Sequence, residues 1–120
     1  MRLRRRRPDA GPPGTVDVAA SGDVPTAPPF LEVKVAGERV LLVRTPAGLA
    51  AFGAACPHLG QPLKRGELDG TTLTCRHHRH RYDVTDGTCV WPGPGDDGLV
   101  LLEAGETDGR VWVRPPTGRG

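Results

Sequence analysis

The stretch CPHLG (56–60) is matched downstream by CRHHRHRYD (75–83). The 120-residue chain holds three cysteines and four histidines, and all but Cys89 lie in these two short runs. The arrangement is Cys56-x-His58, sixteen residues, then Cys75-x2-His78, with His77 and His80 as surplus histidines. Thiolate and imidazole together suit borderline-soft metals. Three chemistries compete for the pattern. Structural zinc usually takes a cysteine pair followed by a histidine pair, whereas here each cluster is mixed. A cysteine nucleophile with a histidine base leaves the doubling of the motif without a reason. A two-iron, two-sulfide centre, with two cysteines on one iron and two histidines on the other, gives each run one ligand for each iron.

Working outward, the flanks read as antiparallel strands. TVDVA (15–19) and FLEVKVA (30–36) alternate apolar and polar residues, and RVLLVRT (39–45) follows across a turn at 36–38. LAAFGA (49–54) continues the meander, and LVLLEA (99–104), a turn at 105–109 and RVWVR (110–114) resume it after the metal region. Between them lie short strand-like pieces at 66–70, 71–75, 81–84 and 88–91, with Leu68 facing inward. The expectation is an all-β fold: an antiparallel framework, sandwich or meander, into which a loop-rich subdomain of about 54–95 is inserted. Residues 1–13 read as a disordered basic tail, 14–115 as the domain and 116–120 as a second tail. Loops carried on a rigid sheet are a common location for sites.

Composition narrows the function classes. The net charge of +2 comes from five arginines in MRLRRRR (1–7); without them eleven basic face fourteen acidic side chains, a net −3. No apolar h-region follows those arginines, so an export signal is not expected. A nucleic-acid arm would need a basic patch on the domain to work with, and no nucleic-acid partner is expected. No apolar run approaches the roughly 18 residues of a membrane span. A cytoplasmic location follows as the expectation, where thiols stay reduced and more often bind metal than pair.

The two runs, with their spacing, resemble the Rieske iron–sulfur signature. The likeness extends to CPHLGQPLKRGELDG (56–70), to the aromatic-Asp-x-x-x-Gly turn in RYDVTDG (81–87) and to WPGPG (91–95), where that family places its proline loop. It implies the Rieske fold, one [2Fe-2S] cluster, Cys56 and Cys75 on the inner iron, and His58 and His78 on the outer iron. His77 then falls one residue short of the ligand position and is expected exposed beside Arg76. His80 is expected as a solvent-facing or packing histidine that belongs with the basic rim.

The resemblance also bears on redox properties. High-potential relatives carry a disulfide between the two cluster loops; Gln61 and His77 stand at those positions here, so it cannot form. Those relatives follow the second histidine with Gly-Ser, where this chain has Arg79-His80. Tyr82 points the other way, since it matches a tyrosine that bonds a ligand sulfur. The implied potential is in the lower part of the Rieske range of about −150 to +300 mV. The implied role is an electron carrier, not itself an enzyme, passing single electrons from a flavin-dependent NAD(P)H reductase to a terminal oxygenase. The alternative is a small subunit of a nitrite-reductase-like complex. Lys64, Arg65, Arg76, Arg79 and Arg81 all fall in the two loops and form a basic collar suited to an acidic partner. Trp91 is a candidate shield beside the proline loop, Trp112 a framework residue, and Cys89 a small buried hydrophobe.

Overall fold

A computed structural model describes residues 11–57, 60–77 and 79–116. The ligand candidates His58 and His78, most of the N-terminal tail and the last four residues lie outside the described residues. The described chain is β throughout apart from one 3-10 turn at Ser21–Asp23. The strands are β1 (Val16–Ala20), β2 (Leu31–Val35), β3 (Glu38–Thr45), β4 (Gly48–Gly53), β5 (Glu67–Asp69), β6 (Thr72–Thr74), β7 (Arg81–Asp83), β8 (Cys89–Trp91), β9 (Leu101–Leu102), β10 (Ala104–Thr107) and β11 (Arg110–Val113). They form three antiparallel sheets, ordered β1-β11-β10, β2-β3-β4-β9 and β5-β6-β7-β8.

The run Val40-Leu41-Leu42-Val43 explains how the sheets stack. Side chains alternate across a strand, so a strand apolar on both faces is buried on both. Val40 and Leu42 enter one core with Val35, Ala51, Val111 and Val113. Leu41 and Val43 enter a second core with Phe30, Phe52, Leu63, Leu73, Tyr82 and both Cys56 and Cys75. All four are at most 1% exposed. The β2-β3-β4-β9 sheet is therefore a middle layer, with the β1-β11-β10 sheet on one face and the metal-region sheet on the other. Arg44 staples the framework by a bidentate bond to Glu106 on β10, with donor–acceptor distances of 2.8 and 2.9 Å.

One stretch departs from the sequence expectation. The segment 99–104 is not a single strand: Leu101–Leu102 pair with β4, whereas Ala104–Thr107 pair with β11. The expected turn at 105–109 shrinks to Asp108-Gly109, both at positive φ (53° and 78°), as a two-residue turn between twisted strands requires. Gly105, which reads as a turn signal, instead lies opposite Trp112, and a Cβ there would collide with the indole ring.

Candidate metal centre

The two cysteine loops close in the same way. In the first, Cys56 N donates to Gln61 O (2.7 Å) and Gly60 N donates to Cys56 O (2.7 Å). In the second, Cys75 N donates to His80 O (2.8 Å) and Arg79 N donates to Cys75 O (2.9 Å). Each loop thus opens at its cysteine, with one bond from the cysteine amide five residues ahead and one returned to its carbonyl from four ahead. The residue four ahead takes a left-handed conformation in both: Gly60 at φ 75° and Arg79 at φ 63°. Glycine adopts that conformation without penalty, whereas a side chain is strained there. The arginine at position 79 therefore occupies a backbone site that the matching loop fills with glycine.

The strands fix where these loops stand. Pairing of Ala55 with Pro62 and donation from Leu63 N to Ala54 O (2.9 Å) set the base of the first loop. The second is the connection of β6 to β7, based on the Thr74–Arg81 pair. Leu63, Leu73 and Val84 are buried beneath both loops. Cys56 and Cys75 are buried in this same apolar cluster, at 1% and 0% exposure. None of the three cysteines is in a disulfide.

Tyr82 touches the first of these thiols. Its ring is fully buried and its hydroxyl lies 3.1 Å from Cys56 Sγ. Burial, and then the hydrogen bond to Cys56, push the phenol far above its ordinary pKa, so the hydroxyl keeps its proton. Facing a thiolate, it can only donate. A fully buried thiolate without a compensating cation or metal is expensive, and among the described residues His80 is the only buried basic side chain. Two soft sulfur donors, presented by matching loops into one apolar core, fit the cysteine half of an iron–sulfur site. Among the described residues, which leave out His58 and His78, no three histidine, cysteine or acidic side chains come together so as to hold a metal ion.

The surplus histidines separate. His77 is exposed, as expected. His80 does not belong to the rim: it is only 7% exposed. Its ring lies 6.4 Å from Tyr82, nearly parallel, and 6.2 Å from Trp91, nearly perpendicular, with Nε2 3.4 Å from an Asp96 carboxylate oxygen. It packs between the tyrosine that serves Cys56 and the proline loop. Trp91 itself is 51% exposed and covers His80. Cys89 is buried and donates to Trp91 O at 3.3 Å, in keeping with a packing role. Arg65, Arg76, Arg79 and Arg81 of the expected basic collar are exposed and Lys64 is half-buried.

A family model described as the Rieske [2Fe-2S] domain matches residues 14–102. Human Apoptosis-inducing factor 3 is 31% identical over 83 residues, which cover 69% of this chain and 14% of that protein. The chain thus spans about one seventh of that relative. Among solved structures, the ferredoxin of carbazole 1,9a-dioxygenase from Nocardioides aromaticivorans superposes with a TM-score of 0.74 at 21% identity, covering 85% of this chain and 98% of that one. A protein described as the small subunit of a nitrite reductase (NADPH) superposes at 0.70 with 19% identity, covering 82% and 96%. At these identities the superpositions speak for the fold. Among the described residues no helix is long and apolar enough to cross a membrane.

Proposed function

The chain belongs to the Rieske [2Fe-2S] domain family, whose cofactor is one [2Fe-2S] cluster, and we propose that it is the ferredoxin component of an oxygenase system. It is a Rieske-fold electron-transfer domain. When bound, a [2Fe-2S] cluster takes up and returns one electron at a time. In this reading Cys56 and Cys75 hold the inner iron, and His58 and His78 hold the outer one. The partners are a flavin-dependent NAD(P)H reductase and a terminal oxygenase, and the location is cytoplasmic. The chain itself has no catalytic residue.

The observation that carries the ligand assignment is the matched closure of the two loops. It delivers Cys56 and Cys75 into one buried core, while among the described residues of the two loops Gly60, Arg76, His77 and Arg79 stand exposed. Tyr82 supports the inner end by its hydroxyl, and His80 with Trp91 packs behind it. The oxygenase assignment draws on the likeness to the carbazole dioxygenase ferredoxin, nearly all of which the chain covers. The small subunit of a nitrite-reductase-like complex remains the second reading, favoured by an alignment of similar extent.

Two substitutions test the ligand set. His78→Ala is expected to abolish the visible absorption of the cluster, and His77→Ala to preserve it. The reverse result would reject the assignment. Reconstitution with an oxygenase and its reductase, beside a nitrite reductase catalytic subunit, separates the two roles: turnover only with the second would overturn the first.

A further inference from the structure

The cations among the described residues divide into two populations. On the framework, Arg39 pairs with Glu32 (2.7 Å), Arg44 with Glu106 (2.8 Å), Arg114 with Glu103 (2.7 Å) and Arg110 with Asp17. Only Lys34 lacks such a partner there, among the described residues. Around the cysteine loops the pattern reverses. Among the described residues none of Lys64, Arg65, Arg76, Arg79 and Arg81 pairs with a carboxylate. Neighbouring cations that no carboxylate ion-pairs repel one another.

Four of these five, all but Arg81, line two clefts. One, of about 560 Å³, lies between the β2–β3 hairpin and the two loops and is lined by Arg39, Lys64, Arg65, Arg76, His77 and Glu32. The carboxylate of Glu32 already accepts from Arg39 Nε. The other, of about 240 Å³, is lined by Glu67, Thr74, Arg76 and Arg79. Arg76, the residue after Cys75, lines both.

The geometry points to this pair of clefts, with Arg76 shared between them, as the receptor for carboxylate side chains projecting from the surface of the electron-transfer partner. The inference rests on the electron-carrier reading and adds to it the sign and place of docking. A guanidinium takes a carboxylate through two parallel bonds, and a cluster of like charge raises the association rate more than the affinity. Nucleic acid fits less well. It calls for a basic stripe with stacking rings, whereas these clefts are short, contain no Phe, Tyr or Trp and belong to a chain whose net charge without its first seven residues is −3.

The test uses the reduced holoprotein and ferricyanide, an anionic oxidant that takes one electron and becomes ferrocyanide. Stopped-flow rates are followed from about 10 to about 500 mM salt, over which the screening length falls from about 30 Å to a few ångström. The expected rate falls by about tenfold or more. Lys64→Gln/Arg65→Gln/Arg76→Gln should remove most of that dependence, and Lys34→Gln should leave it. Lys64→Gln/Arg65→Gln alone should remove part of it, which covers the case in which replacing Arg76 disturbs the neighbouring ligand. Hexaglutamate should slow the reaction of the wild type and not of the triple variant. A flat salt response with intact visible bands would overturn the docking site and leave the electron carrier standing. So would a response that the variants do not change. Competition by a six-nucleotide oligothymidylate as strong as that by hexaglutamate would overturn the carboxylate occupant. Absence of visible bands would count against the carrier reading instead, and calorimetric titration with hexaglutamate would still read the cleft.

Discussion

Replacing Tyr82 with phenylalanine isolates a single bond. The ring is fully buried and stays in place, so the packing of Leu63, Leu73 and His80 around it is retained. Only the hydroxyl 3.1 Å from Cys56 Sγ is lost. A hydrogen bond to a charged acceptor is worth about 1.5–3 kcal/mol. Reduction adds one negative charge and strengthens a bond donated to the sulfur. If about a third of a bond of 2–3 kcal/mol is gained on reduction, the reduced form is favoured by about 0.7–1 kcal/mol. At about 59 mV per 1.4 kcal/mol for one electron, the midpoint of Tyr82→Phe falls by about 30–40 mV. Potentiometric titration followed by visible absorption measures this directly. A midpoint that is unchanged or raised, in a variant with an unaltered spectrum, would show that the hydroxyl does not donate to a cluster ligand.

The left-handed positions separate in thermal unfolding. A Cβ on Gly60 meets no described residue within 4 Å, so Gly60→Ala is expected to cost its backbone strain, about 1 kcal/mol. Arg79→Gly relieves similar strain at φ 63° but frees the unfolded chain by about 0.5–1 kcal/mol, and a change within about 0.5 kcal/mol of zero is predicted. The Arg44–Glu106 staple predicts an acid response. The hydrogen bond from Arg44, and then one from Ser21, hold the Glu106 carboxyl down at about 2 from 4.5. A depressed carboxylate contributes stability above its unfolded pKa and loses it as pH falls through the folded value. Chemical denaturation should find Glu106→Gln weaker than wild type at neutral pH, with the gap closing between about pH 4.5 and 2; a gap independent of pH would show that the pair contributes nothing.

Much of this was legible from residue pattern. The alternation of 31–35 and the apolar run 40–43 specify a strand with one inner face beside one with two, and the middle layer follows. The spacing of the two cysteine runs, together with the glycines and the aromatic-Asp turn beyond them, was enough to find the family. The burial of His80 was also available: in a period of two it shares a face with Tyr82, and a buried Tyr82 carries it inward. The flanking Arg79 and Arg81 suggest a solvated rim instead, so the sequence leaves solvent-facing and packing both open for His80. Other features depend on approaches that sequence spacing does not encode. Arg44 and Glu106 lie 62 positions apart. Gly105 reads as a turn because glycine usually marks one, while its reason is the indole of Trp112 above it. The cation-lined cleft needs Arg39, which lies on the hairpin far from the collar in the chain.

The central claim is that the two cysteine loops hold a two-iron, two-sulfide centre through two cysteines and two histidines. Iron and acid-labile sulfide analysis of the purified chain, joined to electron paramagnetic resonance after dithionite reduction, tests it most directly. The prediction is two irons and two sulfides per chain, visible bands in the oxidised form and a paramagnetic signal that appears only on reduction. Stoichiometric zinc without sulfide, and no signal on reduction, would contradict it and leave a zinc-stabilised fold in its place.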